Sequence, residues 1–187
     1  MRVWQFTMSD LARPPRYSAR ELPPYSYVTG QFPHPIGDPA GHSYGQLPES
    51  VTALDETNWQ TNPAWLWAID LFNHGFFWEA HEAWEGLWHA AGRSGPTADF
   101  LKGLIKLAAA GVKHREGRPE GVRRHAARAI ELLSPSRGRI VFGVTVDALL
   151  TAAKCWTDTG QLEGQGLSIS LQSGGAGATD ETRIEHG

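Results

Sequence analysis

Apolar side chains recur at helical spacing through the middle of the chain, from about residue 61 to residue 157. A period near 3.6 residues is typical of amphipathic helices that bury one face. Gly103 and Gly111 thin the apolar face of the third such helix, which predicts close approach by a neighbouring helix. The pattern predicts an all-α fold, a compact bundle of about five helices over residues 63–73, 76–91, 98–115, 119–133 and 146–156.

The ends of these helices carry recognisable signals. Asn62 is the expected N-cap of the first helix, with Pro63 at its first position. Thr97 is the expected N-cap of the third helix, and Pro119 opens the fourth. Thr145 or a neighbour of it is expected to cap the last.

A weak internal echo relates two of the predicted helix pairs. Gly75 overlays on Gly117 and Trp88 on Ile130, each pair 42 residues apart. Repeated helical hairpins of this kind are typical of tetratricopeptide-like stacks. We therefore predict two stacked hairpins, with the last helix as a cap.

The two ends of the chain differ from this helical middle. Eight of the twelve prolines lie between Pro14 and Pro48, which excludes a long helix or a central strand there. All four tyrosines lie here too, with His34 and His42, a composition that favours an extended strap lying on the helical body. From Gly160 onward small polar residues dominate, which predicts a disordered tail with no packing role. We predict an extended N-terminal segment over 1–60 (the strap), a helical domain over 61–157 and a disordered tail over 158–187.

The charge pattern bears on the partner. The formal net charge is −3, but residues 93–139 hold eleven basic and four acidic side chains. These basic residues alternate with Gly, Glu and Ala and have no aromatic platform, which argues against nucleic-acid binding. An anion or RNA site is the weakest of the alternatives, and it would use Lys102, Lys106, Arg123, Arg124 and Arg128.

Cysteine content and hydropathy bear on location. Cys155 is the one cysteine, so no intrachain disulfide is possible. No secretory signal and no long apolar span is evident in the sequence. We expect a cytoplasmic protein that does not enter a membrane.

Residues 73–89 concentrate ionisable and aromatic side chains at helical spacing. On a helix, His81 and Glu85 lie one turn apart, inside an apolar arc that contains Trp84 and Trp88. We therefore expect an imidazole and a carboxylate in a tryptophan-rich interior, with the other glutamates of the helix pointing elsewhere. A buried carboxylate costs several kcal/mol without a partner, so the pair must bind each other, a third group or a ligand.

Several interpretations of this pair stay open. It can be an internal polar network that fixes the register of the helix. It can instead belong to a pocket that binds a small ligand or a partner segment. The binding residues would then be Asn73, Glu79, Trp78, Trp84 and Trp88.

A further alternative is a metal-dependent hydrolase. His81, Glu85 and Glu82 are its catalytic candidates, and His81, Glu85 and His74 its candidate metal ligands. The sequence requires no cofactor, and a divalent metal is the one that this alternative would use. Glu85 stands where a zincin motif needs its second histidine, so the pattern does not match that class.

Three stretches of the sequence resemble a known family. They are Phe72-Asn73-x-Gly75-x-Phe77-x-Glu79-Ala80-His81-Glu82-x-Trp84-Glu85-x-x-Trp88, Phe100-Leu101-x-Gly103-Leu104-Ile105 and Gly117-x-x-x-Gly121. Over about residues 64–153 the chain resembles the helical family catalogued as domain of unknown function 309. The resemblance implies a compact all-α bundle and brings no established reaction. The characteristic polar positions map onto Asn73, Glu79, His81, Glu82 and Glu85, while Lys106 stands where a glutamine is expected.

Overall fold

The computed structural model describes residues 14–47, 49–162 and 167–172. Within these ranges no helix is long and apolar enough to cross a bilayer. The prediction of an all-α bundle of about five helices is confirmed. The elements in the described ranges are α1 (Pro63–Asn73), α2 (Phe77–Ala90), α3 (Pro96–Arg115), α4 (Pro119–Leu133), a 3-10 helix (Ser134–Ser136), β1 (Ile140–Val141), β2 (Val144–Thr145) and α5 (Val146–Thr159).

Most predicted helix boundaries are confirmed. The Asn62 side chain accepts a hydrogen bond from the backbone N–H of Trp65 at 3.1 Å, as an N-cap should. Thr97 was the wrong choice for α3, because Gly95 is its N-cap and Pro96 its first residue. Gly95 has a φ of 89°, which glycine adopts without steric cost, and the fixed φ of proline suits the first helical position.

Each helix packs against the next one in sequence, from α1 to α5. The largest buried side chains come from α1, α2, α3, α4 and α5 alike, so one core runs through the bundle. The stacking of these hairpins in the manner of tetratricopeptide repeats stays a prediction. The fully buried large side chains include Trp65, Phe72, Trp84, Phe100, Leu104, Leu133 and Leu149.

Two glycines of α3 permit the close helix contacts that the sequence predicted. A Cβ at Gly103 would lie 2.6 Å from the Leu133 side chain of α4. A Cβ at Gly111 would lie 2.4 Å from the ring of Phe77 on α2. Because both distances are shorter than any real contact, α3 approaches its two neighbours through these positions.

A short hairpin joins α4 to α5. Ile140 pairs with Thr145 and Val141 with Val144 in antiparallel register. The turn places the ring of Phe142 in the core, 6.2 Å from the ring of Trp65. Strands of two residues are too short to show an alternating pattern of apolar and polar positions, so these two could not be predicted.

The expectation that the tail has no packing role is wrong for residues 167–172. The apolar residues Leu167, Ile169 and Leu171 alternate with polar ones, and Ile169 is only 2% exposed. The backbone N–H of Gln172 donates to the carbonyl of Gly143 at 2.8 Å. An alternating stretch presents one face to a core, which explains why this part of the tail packs. Residues 163–166 and 173–187 lie outside the described residues, as do 1–13, and the division into three segments stays a prediction.

We expect Gly111→Ala to lower the free energy of unfolding by about 1–3 kcal/mol, because the new methyl group overlaps the Phe77 ring. The matched control is Gly86→Ala on α2, where a Cβ would lie 3.4 Å from Val51. There alanine should stabilise the helix by about 0.5–1 kcal/mol. Urea denaturation of the three proteins measures both effects, and equal shifts would show that α3 and α2 are not in close contact.

Candidate functional site

Asp70 is the one charged residue of α1, and it is completely buried. A buried carboxylate is stable only when charge-assisted hydrogen bonds replace its water. The strap supplies those bonds, so it is held to α1 by this side chain. The donors are Arg16 Nε (3.1 Å), Tyr17 N (2.7 Å), Ser18 N (2.9 Å) and Ser18 Oγ (2.7 Å).

Glu79, in the first turn of α2, is the second buried carboxylate and is 6% exposed. Its Oε1 accepts a hydrogen bond from the backbone N–H of Tyr27 at 2.9 Å and lies 3.4 Å from Nε2 of His42. Its Oε2 is buried without a hydrogen-bond partner among the described residues. Glu79 therefore holds a second point of the strap and keeps one oxygen that can accept a further donor.

Asn73, the last residue of α1, binds the C-terminal segment. Its Oδ1 accepts from the backbone N–H of Ile169 at 2.7 Å, and its Nδ2 donates to the carbonyl of the same residue at 2.8 Å. Nearby, the Trp78 ring lies 5.4 Å from the ring of Tyr27 and 5.2 Å from that of His34. We name Asp70, Asn73, Trp78 and Glu79 the α1–α2 corner, because they surround the junction of these two helices.

His81 and Glu85 come together as predicted, but they are not in the interior. Their side chains are 28% and 41% exposed, and His81 Nδ1 lies 3.9 Å from Glu85 Oε2. Glu82, expected to point elsewhere, lies closer to the same nitrogen, with Oε1 at 3.4 Å. The expected burial is therefore wrong, and Glu79 is the buried glutamate of α2 instead.

The tryptophans of α2 do not surround one pocket with His81. Trp84 is fully buried against Phe72, with ring centroids 5.4 Å apart, and belongs to the core. Trp88 is half-buried, and the ammonium of Lys102 lies 5.7 Å from its ring centre. Two surface cavities, of about 550 and 450 Å³, lie along α5, and none of the predicted site residues lines them.

His74 lies apart from the other candidate metal ligands. Its Nδ1 is 2.8 Å from the carbonyl oxygen of Asp70, one turn back on α1. Among the described residues, one group of three has ligand atoms within 4.8 Å of one another: His81, Glu82 and Glu85. The structure thus brings the three catalytic candidates together and separates His74 from them.

His125 on α4 is a titratable group that the sequence reasoning missed. Burial, and then the charges of Lys106, Arg124, Lys113 and His81, lower the pKa of His125 from 6.5 to about 4. A half-buried imidazole beside so many cations stays neutral near pH 7. Lys106, which stands where the family resemblance led us to expect glutamine, contributes to this effect.

A family model described as domain of unknown function (DUF309) matches residues 65–125. We refer to residues 65–125 as the DUF309 domain, after the family model that they match. The match confirms the resemblance seen in the sequence, over a shorter range than the expected 64–153. The comparison with curated proteins gives no match.

The DUF309 domain contains every residue of the α1–α2 corner, from Asp70 to Glu79. It contains neither the strap nor residues 167–172, which supply the partners of the three polar corner side chains. Sequence reasoning missed Asp70, although a lone charge among the apolar residues of α1 was a usable signal. The domain therefore carries buried polar groups whose partners come from elsewhere in the chain.

We expect His125→Gln to flatten the acid dependence of stability. The pKa of His125 is about 4 in the folded protein, below its usual 6.5. The unfolded chain therefore takes up a proton at this residue more readily than the folded chain does. The contribution of neutral His125 is complete above about pH 6.5 and is lost as the pH falls toward 4. Between about pH 7 and pH 5 the loss in unfolding free energy should be smaller in the variant, by about 1 kcal/mol after allowance for solvent screening.

Urea unfolding at both pH values gives the comparison. His89→Gln, at an exposed position on α2, controls for the removal of a histidine. If both variants keep the acid dependence of the wild type, His125 does not contribute to it.

Proposed function

We propose that the DUF309 domain is a binding module for an extended polypeptide segment, and that the α1–α2 corner is its binding site. One observation carries the proposal. The three polar side chains of the corner each bind backbone groups of a segment from outside the domain. In this chain the strap and residues 167–172 occupy that site.

The chemistry of these contacts suits recognition of a main chain. The amide of Asn73 has the same donor and acceptor as a peptide group, so it can pair with any residue in an extended segment. The carboxylate of Asp70 accepts from the consecutive N–H groups of Tyr17 and Ser18. Main-chain bonds of this kind give affinity with little dependence on sequence, as in strand addition to a sheet.

The spare acceptor of Glu79 supports the same proposal. A buried polar atom without a partner is uncommon in a folded protein, and it needs a reason. Oε2 of Glu79 is such an atom, next to a backbone N–H that its other oxygen already binds. A segment with one more donor at this point would satisfy it.

A partner segment is therefore favoured over a small ligand, because the corner binds main-chain groups, whereas the two cavities described above lie along α5. The aromatic contribution comes from Trp78, which contacts two rings of the strap. We retain a cytoplasmic location and tetratricopeptide-like stacking as parts of this proposal.

We expect a peptide of residues 14–30 to bind the full-length chain in trans when the strap is weakened. Arg16→Ala with Ser18→Ala removes two side-chain donors to Asp70 and leaves the corner intact. Because the attached strap competes at high effective concentration, the variant should bind the labelled peptide at least about tenfold more tightly than wild type. Fluorescence anisotropy measures this difference.

Unlabelled peptide of residues 14–30 is the ligand control, because it should displace the labelled peptide from the same site. Asn73→Ala tests the second contact: it should increase hydrogen exchange at Ile169 without changing exchange in α3. If neither the wild type nor the Arg16→Ala, Ser18→Ala variant binds the peptide, and circular dichroism shows that both are folded, the proposal fails.

A divalent-cation site is the second candidate, and it is the part of the hydrolase hypothesis that one observation favours. His81, Glu82 and Glu85 offer ligand atoms within 4.8 Å of one another. The buried Nδ1 of His81 faces both carboxylates and has no hydrogen-bond partner among the described residues. Three protein ligands would leave a fourth position for water, as hydrolysis at a zinc ion requires.

If this candidate is correct, protein purified without an affinity tag binds about one zinc or manganese ion per chain. His81→Ala should abolish that binding, because it removes the one nitrogen ligand. His89→Ala, which removes a histidine beside the same Glu85, should leave binding unchanged. Elemental analysis and isothermal titration with the metal salts measure the binding. Equal binding by the wild type, His81→Ala and His89→Ala would rule out this site.

A further inference from the structure

We propose that the α1–α2 corner prefers a segment in which an arginine precedes a serine by two residues, and that the strap is its intramolecular competitor. This inference rests on the proposed function and adds a side-chain preference to it. Its basis is the way in which Arg16 and Ser18 of the strap share one buried carboxylate. The partner is thus a polypeptide with an Arg-x-Ser sequence in extended form.

The guanidinium of Arg16 binds three acceptors at once. Its Nε donates to Asp70 Oδ2 at 3.1 Å. Its Nη2 donates to the carbonyl oxygens of Arg20 and Ser18, the latter at 3.5 Å. The planar fork of arginine can divide its donors between a carboxylate and a main chain, whereas lysine offers a single ammonium.

Trp67 provides a second reason for arginine. This α1 residue is almost completely buried, and the guanidinium carbon of Arg16 lies 5.8 Å from its ring centre. The guanidinium carbon of Arg20 lies 5.1 Å from the same ring. Arginine stacks on an indole more favourably than lysine does, so Trp67 and Asp70 together form an arginine subsite.

Ser18 explains the second position of the preference. Its Oγ donates to Asp70 Oδ2 at 2.7 Å, and its backbone N–H donates to the same oxygen at 2.9 Å. A small hydroxyl side chain is needed to make both bonds from one residue. A phosphate on this hydroxyl would bring two negative charges against a buried carboxylate, so a phosphorylated segment should not bind.

The partners of Asp70 therefore include one cation and three neutral donors from a stretch of three residues. Tyr17, between them, uses its backbone N–H on Asp70 and its hydroxyl on the backbone N–H of Leu171. At Asp70 itself, the middle position therefore contributes through its main chain. A partner that replaces the strap must supply the same four donors or leave a buried charge unpaired.

The test uses the full-length Arg16→Ala, Ser18→Ala protein and labelled peptides of residues 14–30 in fluorescence anisotropy. Relative to the unchanged peptide, Arg16→Ala or Arg16→Lys in the peptide should weaken binding about tenfold or more, and Ser18→Ala about tenfold. The peptide phosphorylated on Ser18 should show no measurable binding. Glu21→Ala, at an exposed position of the strap, is the matched control and should not change affinity.

A reciprocal change tests whether Asp70 is the discriminating group. Asp70→Asn in the protein should reduce the difference between the arginine and lysine peptides, because the amide no longer favours a cation. Circular dichroism confirms that the variant is folded. Glu120→Gln, at an exposed position of α4 outside the corner, is the control and should keep the full difference.

The outcomes separate this inference from the proposed function. Equal binding of all peptides would overturn the Arg-x-Ser preference and leave the binding module standing. Failure of every peptide to bind would overturn both. Dimers of the wild-type chain that exchange straps at high concentration, seen by sedimentation, would assign the site to a second copy and overturn the proposed partner.

Discussion

The buried charge of Asp70 is the constraint on which the arrangement of the chain depends. Helix α1 is enclosed on all sides, and its own backbone cannot supply donors to a side chain on its surface. Leaving that carboxylate unpaired would cost several kcal/mol, a large part of the stability of a domain of this size. The strap is therefore part of the fold, since it neutralises and hydrogen-bonds this group.

The same principle extends to the other end of the corner. Glu79 is buried and Asn73 is half-buried, and segments distant in sequence supply the hydrogen-bond partners of both side chains. These contacts connect residues near 17, 27 and 169 to one helix junction. Because the helical core binds extended segments at this junction, our proposed function is based on the corner and not on the α2 face that carries His81.

The outer face of α2 shows how a helical wheel can mislead. The wheel gives the angle between His81 and Glu79 correctly, but it cannot predict which parts of the fold cover each face of the helix. Helices α1 and α3 cover part of α2, and the strap covers the side that carries Glu79. His81, Glu82 and Glu85 are left on a half-exposed face, where carboxylates keep their water and close spacing costs little. The proximity of His81 and Glu85 comes from one turn of helix and was predicted, whereas the approach of Glu82 and the exposure of all three side chains were not.

Local signals in the sequence determined the helices, because caps, prolines and apolar spacing act within a few residues. Asn62 and Pro63 define the start of α1, and Gly103 and Gly111 predicted the close packing of α3 against its neighbours. The tertiary structure alone decided the partners of Asp70, Asn73 and Glu79, since those contacts join residues 37 to 96 positions apart. Long-range pairing depends on which surfaces the folded core leaves uncovered, and no local pattern encodes that.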